Sequence, residues 1–588
     1  MCSRCSCLVR KAWLMLVVMA MLGQTSITRG QEVNAGGLPR PFGPDLAEPP
    51  VPAATEAKSE TQQTATPVAW WPFFSKVVAA QTEQQQLTSP PRQPDPNSPK
   101  WLSDLPYRPL PDLGNWPILP SGPGYYSLLD QVLGNWREYM PRSAYPPYAL
   151  MRNSMFDADW RYLDDPDYIS EDFFDRFHNV HLGDDWLFNT GGQADIRHMA
   201  QYNARLTGKT DDFDLMRIRP YADFWYQDIF RFYGEMIAAT STTQTLTPLK
   251  TDRDAIDFLN LFIGVKLTEI DGNGVFLRVG RQELLVGSER LVTPLEWGNT
   301  RQTFQGVHLL WSNGTFDFDG WWTRPVAPNA DGWSWVDNEV QFSGLDFNYH
   351  SADKLQLLQF YWMYLDNLHT VKTDGITQDP TNVHTLGGRW KGQLGNFLWD
   401  IEPDVQLGDR GSQSILAGAT TTGAGYYLPN LPMNPTVWAY YDWASGSQNP
   451  GHGEYSTFNQ LYGFGHYYLG FMDLIGRENI RDVNFHLYLF PEKWINFNLQ
   501  YHILALDTAK DALYSPAGSV SRVSLNGTAG TDVGQELTFI CNFHLGPHSD
   551  ILIGWSKLYA GDYIRNTAAN AAGKADPEMW YAMYNIRW

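Results

Sequence analysis

The stretch Leu215-Met216-Arg217-Ile218-Arg219-Pro220-Tyr221-Ala222-Asp223-Phe224-Trp225-Tyr226 decides the fold, because it alternates with a period of two. Met216, Ile218, Ala222, Phe224 and Tyr226 fall on one face of an extended chain; Arg217, Arg219, Tyr221 and Asp223 fall on the other. A face carrying two arginines and an aspartate must meet water. The segment therefore reads as a strand with one apolar and one wet side.

The same arithmetic holds elsewhere. Trp399, Ile401, Val405 and Leu407 oppose Asp400, Glu402, Asp404 and Gln406, and Val483, Phe485, Leu487 and Leu489 oppose Asp482, Asn484, His486 and Tyr488. Ile495, Phe497, Leu499, Tyr501 and Ile503 oppose Asn496, Asn498, Gln500 and His502. Asp271-Gly272-Asn273-Gly274, Ser312-Asn313-Gly314 and Ser351-Ala352-Asp353-Lys354 suit tight antiparallel turns. Longer polar stretches, 367–383, 446–465 and 507–531, separate other strands. Short turns on one rim and long loops on the other are the asymmetry of a bacterial outer-membrane barrel.

Counting from Trp186 to Trp588 gives about 18 strands, an even number that permits closure of a single chain. The last strand puts Trp580, Ala582, Tyr584, Ile586 and Trp588 on one face and ends on an aromatic residue. That resembles the terminal signal read by the outer-membrane assembly machinery. Aromatics make up 14% of the chain while mean hydropathy is only -0.36, a combination that fits aromatic girdles at two membrane interfaces. No run of about 18 apolar residues follows the N-terminus, so an ordinary helical membrane protein is excluded.

Residues 1–30 read as a secretory signal, with Arg4, Arg10 and Lys11 before the apolar core Ala12–Leu22. Cys2, Cys5 and Cys7 lie within it. Only Cys541 remains afterwards, so no internal disulfide can form in the oxidising compartment the chain enters. Residues 31–125 are rich in Pro, Gln, Thr and Ala and read as a disordered spacer; 126–181 form an acidic, aromatic lead-in of short helices and loops; 182–588 form the barrel. The net charge of -21 becomes more negative once the four bases and no acids of residues 1–30 are removed, which disfavours nucleic-acid binding.

Leu277-Arg278-Val279-Gly280-Arg281-Gln282-Glu283-Leu284 is followed by Arg290-Leu291-Val292, Trp297-Gly298-Asn299-Thr300 and Thr303-Phe304-Gln305-Gly306-Val307. With Arg324-Pro325-Val326, Tyr441-Asp442-Trp443-Ala444-Ser445-Gly446 and Thr457-Phe458-Asn459-Gln460-Leu461 in order, this resembles the alginate export porins. The resemblance implies an 18-strand outer-membrane barrel that passively exports an anionic polysaccharide through a positively lined lumen. Its motif residues here are Arg278, Gly280, Arg281, Gln282, Glu283, Arg290, Trp297, Asn299, Phe304 and Gly306.

Alternation places Arg217, Arg219, Arg231, Arg278, Arg389 and Lys391 in the lumen, where the resemblance implies that they are the substrate-binding cations. Arg281 and Arg290 are expected at a bend near a rim. Asp195, Asp223, Glu235, Asp317, Asp319, Asp400, Glu402 and Asp404 share the inward face or the rim, so the interior is mixed. A general or substrate-selective porin for small solutes or oligosaccharides suits such a lumen too. An outer-membrane hydrolase, using a pair such as Asp317 and Asp319, and a secreted soluble β-protein are the remaining alternatives.

His544 and His548 are four apart, but Gly546-Pro547 between them reads as a turn rather than as one side of a zinc site. Cys541 alternates with Phe539 and Phe543 on the apolar face. No catalysis, metal or cofactor is expected. The expected partners are outer-membrane lipid, the assembly machinery and an anionic solute; the sequence sets no oligomeric state.

Overall fold

The computed structural model describes residues 99–107, 113–145, 154–168, 172–373 and 376–588. The signal segment and most of the spacer, residues 31–98 and 108–112, lie outside the described residues. Eighteen long antiparallel strands form a closed barrel. In chain order they are β1 (Trp186–Tyr202), β2 (Asp211–Tyr226), β3 (Phe230–Thr242), β4 (Asp254–Ile270), β5 (Asn273–Gln282) and β6 (Thr303–Ser312). There follow β7 (Phe316–Ala327), β8 (Val340–His350), β9 (Gln356–Asn367), β10 (Thr381–Leu394), β11 (Phe397–Arg410) and β12 (Gln413–Tyr427). The last six are β13 (Thr436–Ala444), β14 (Ile480–Glu492), β15 (Ile495–Leu506), β16 (Asp532–Gly546), β17 (Ser549–Ala560) and β18 (Glu578–Arg587).

Each strand pairs with its chain neighbour, and β18 returns to β1, from Gln193↔Arg587 to Tyr202↔Glu578. The number of strands expected from alternation is the number found. Closure removes the unpaired edge, which in hydrocarbon would leave each backbone group without a partner. Two short strands, Val180–Leu182 and Trp335–Val336, extend the sheet at the ends of β1 and β7.

Alternation also sets which side chains face out. Arg217, Arg219, Tyr221 and Asp223 are buried within the barrel, whereas Ile218 on the opposite face is 47% exposed. Phe485, Leu499, Ile503 and Trp580 belong to the same outer band, and Asn484, Asn498, His502 and Asn585 to the interior. The links 227–229, 271–272, 313–315, 351–355, 395–396, 428–435, 493–494 and 547–548 lie on one rim together with the start of β1 and the end of β18. The other rim carries long connections, among them 283–302, 445–479 and 507–531.

Gly280, at φ +138°, lies in β5 opposite Gly306 in β6. A Cβ at either position would strike a neighbouring strand's carbonyl, that of Leu261 at 2.3 Å or that of Trp322 at 2.2 Å. Both motif glycines thus allow the wall to bend tightly at the start of the 283–302 connection.

Because Leu499 lies on the outer face near the middle of β15, Leu499→Arg is expected to destabilise the folded barrel by about 2–4 kcal/mol. Urea titration of protein folded in lipid vesicles measures this. A value near zero would mean that the face does not meet hydrocarbon.

Candidate functional site

The barrel interior is filled by the chain itself. Two long-rim connections fold inward rather than outward. In 283–302, Leu284, Leu291 and Val292 are almost wholly buried; in 445–479, so are Phe458, Tyr467, Leu469, Phe471 and Ile475. Loops this apolar cannot lie in water, and the barrel lumen is where their surface is removed from it. Backbone bonds fasten the two loops to each other: Tyr462 N–H to Leu291 O at 2.9 Å, Thr293 N–H to Tyr462 O at 3.0 Å and Phe464 N–H to Glu289 O at 3.1 Å. Phe304 of β6 is buried against Phe342 and Tyr462 beneath this junction.

Around the loops the inward side chains form ion-pair clusters. On the β1–β4 wall, Arg217 meets Asp195 at 2.5 Å and Glu296 of the inner loop at 3.2 Å. Arg219 meets Glu235 at 2.6 Å and Glu283 at 3.8 Å, and Arg301 joins Glu283 to Glu296. Asn260 donates to both Glu235 and Glu283. On the opposite wall, Arg290 of the inner loop reaches Asp400 at 2.9 Å and Glu402 at 2.7 Å, while Arg389 bonds Asp400 at 2.7 Å. Tyr361 donates to Glu402 and Asp404, and Ser288 to Glu402.

The other expected cations lie toward the short-turn rim. Arg231 holds Asp223 at 2.8 Å and donates to Phe156 O at 2.7 Å; Arg278 holds Asp157 at 3.2 Å. Lys391 lies 4.3 Å from the centre of the Trp116 ring. Asp317 and Asp319 bond His350 and His308, at 2.7 and 2.8 Å. Buried ion pairs of this kind hold position well, and removing one partner strands the other charge.

Arg281 lies at the end of β5, bonded to Asp257 and to Phe258 O. Arg290 is not at a rim: the inward course of 283–302 carries it into the lumen. Asn299 staples that loop to the wall, donating to Met216 O, Thr240 O and Asp252 O at 2.9–3.1 Å. Trp297 is sandwiched between Arg197, 3.9 Å above its ring, and the stacked His466 ring at 3.8 Å. Burial, and then the Arg197 charge, hold the His466 imidazole well below its usual range, so it is neutral. Gln282 is buried at the end of β5.

Composition placed residues up to 125 in the spacer, yet residues 99–107 and 113–125 are packed against the barrel. Leu102 and Leu105 cluster with Leu187 and Trp225, and 113–119 lie within the lumen. Prolines make this region read as an extended chain in water; instead Lys100–Asp104 form a 3-10 helix, and 113–119 run between the walls with a bend at Asn115, φ +41°. His544 bonds Asp550 and His548 bonds Arg587 O, and among the described residues no group of three His, Cys, Asp or Glu is placed to hold a metal. Toward the long-loop rim the lumen opens into a cavity of 540 Å³, lined by Lys250 and Arg410, by Asp337, Asp379 and Glu478, and by side chains of 455–463.

A closed 18-strand barrel with an apolar outer band and a charged interior defines an outer-membrane β-barrel of the porin type. The sequence matches the alginate export family over residues 187–576, and the chain belongs to that family. Among solved structures it is similar to Pseudomonas aeruginosa OccK8 (OprE), at 12% identity over 68% of this chain and 98% of that one, with a TM-score of 0.45. It is also similar to OccD3 (OpdP) of the same organism, at 8% identity over 68% and 91%, TM-score 0.43. A third is the outer membrane protein opdK, again from Pseudomonas aeruginosa, at 11% over 68% and 99%, TM-score 0.44. The chain matches no curated protein.

Glu289 of the inner loop accepts a bond from Thr293 Oγ1 at 2.6 Å, and burial raises its pKa from 4.5 to about 7. The folded state therefore keeps a proton that the unfolded chain releases above about pH 4.5, so stability falls as pH rises from there to about 7. Glu289→Gln is expected to remove this part of the slope, roughly 3 kcal/mol at full effect. Denaturant titrations of the two proteins at pH 4.5 and 7.5 should diverge; parallel curves would mean that Glu289 is ionised in the fold.

Proposed function

We propose that this barrel is a porin for passive export of an anionic, alginate-like polysaccharide. Family membership supports the substrate class, and the inward placement of Arg217, Arg219, Arg231, Arg278, Arg389 and Lys391 is the observation that carries the reading. Each of these arginines already holds a protein carboxylate. A passing uronate carboxylate thus exchanges one charge-assisted bond for another instead of adding a new one, and release is as easy as capture. Nothing in this transport needs a bond to be made or broken in the solute, so no catalysis, cofactor or metal is proposed.

Residues 1–30 direct export, the segment up to about residue 98 is a spacer on the inner side, and the aromatic last strand is what the assembly machinery reads. A second reading is a selective diffusion porin for less charged oligosaccharides. Its support is charge compensation: Arg217, Arg219 and Arg301 share Asp195, Glu235, Glu283 and Glu296.

Planar-bilayer recordings with polyuronates separate the two. Anion-selective current blocked by oligouronates is expected, with Arg219→Ala weakening block by about tenfold, because Glu235 is left to repel the solute while Glu283 keeps Arg301. Current indifferent to polyuronates but reduced by neutral oligosaccharides would overturn the first reading in favour of the second.

A further inference from the structure

Leu113-Gly114-Asn115-Trp116-Pro117-Ile118-Leu119 carries no charge, yet it lies in a lumen lined with ion pairs. Among the described residues, no backbone–backbone hydrogen bond joins it to a strand. Side chains that point inward from β13 and from the 445–479 loop hold it instead. The Gly114 amide donates to Tyr468 Oη and the Asn115 amide to Tyr440 Oη, both at 2.8 Å; the Ile118 amide donates to Thr436 Oγ1 at 3.2 Å. Trp438 Nε1 donates to the Trp116 carbonyl at 2.9 Å, and the two indoles meet edge to face at 4.6 Å.

The backbone at Gly114 rests directly on the Arg290–Asp400 pair. A Cβ there would lie 2.3 Å from Arg290 Nη2 and 2.6 Å from Asp400 Oδ2. Both flanks of the segment are secured at the short-turn rim. Upstream, Leu102 and Leu105 pack on Leu187 and Trp225; downstream, Lys493 Nζ bonds Ser121 O at 2.5 Å and Trp494 Nε1 bonds Gln131 Oε1 at 2.5 Å.

We propose that residues 113–119 are a tethered stopper: they occupy the transport path at rest and give up their track to an entering glycan chain. An uncharged segment across a charged lumen makes ion passage costly, because an ion there loses water without gaining a partner. The track itself offers what a pyranose with a carboxylate can use in place of the peptide. Trp438 and Tyr440 present rings, Thr436, Tyr440 and Tyr468 present hydroxyls, and Lys391 and Arg290 present charge. Held by side chains alone, the stopper leaves without breaking the sheet. The glycan half of this inference rests on the proposed porin function; the stopper half does not.

The test is single-channel recording of the full mature protein, with galacturonate oligomers as probe. Wild type is expected to be closed most of the time. Gly114→Leu, which cannot seat on the ion pair, raises the open fraction by roughly tenfold or more and lowers the oligomer concentration needed for block, since the competitor is gone. Tyr440→Phe with Tyr468→Phe removes two acceptors without adding bulk and, should Gly114→Leu fail to fold, is expected to raise the open fraction in the same direction; it is read by open fraction alone, because both hydroxyls also belong to the glycan track. If both variants conduct like wild type while oligomers block all three, the stopper is overturned and the porin reading stands. If the variants open but oligomers block none of them, the stopper stands and the polyuronate reading falls.

Discussion

A peptide group in hydrocarbon has no water to bond, and the whole molecule is organised around that fact. Every strand must have two neighbours, so β1 must find β18, and the wall must be a closed ring. Closure fixes alternation in turn, because successive side chains then face lipid and lumen by turns, save where a bulge shifts the register, as between Asp257 and Asn260. The interior polarity follows from the wall, and the inserted loops follow from the interior: a ring of this many strands has more lumen than its own side chains fill.

What fills it resembles the core of a water-soluble protein. Apolar residues from 283–302 and 445–479 meet in one cluster with inward residues of the wall, and arginines and carboxylates are paired around that cluster. The two loops are mutually bonded, so neither has an independent conformation. Arg290 shows the result. It leaves from one side of the barrel and is neutralised on β11, across the lumen, which makes it a strut between walls.

The wall was legible in the sequence because its signal is local. An offset of one residue suffices to tell Ile218 from Arg217 or Leu499 from Asn498, and tight turns such as Asp271-Gly272 mark the corners. The inward cations were legible for the same reason. Their partners were only partly so: Asp195, Asp223, Glu235 and Asp400 obey strand parity, whereas Glu296, like the further cation Arg301 that it pairs with, sits on a loop that has no period to read. A signal for the inserts was present in composition, in the run Phe464–Ile475, too aromatic and aliphatic for a solvated loop. Leu113–Leu119 was hidden by the prolines around it, since a segment without helix or strand has the same composition between walls as in water.

The seam between β1 and β18 also has a consequence in time. Asp195 and Asn585, bonded across it, are 390 residues apart in the chain. Contacts of such separation form last, because the loop they close is the most costly in entropy. The segment at 113–119 emerges before the first strand, and both inner loops emerge before the last. Everything that fills the lumen is thus made before the ring can shut. A late seam lets the contents dock through an open side, and threading through a finished ring is never required.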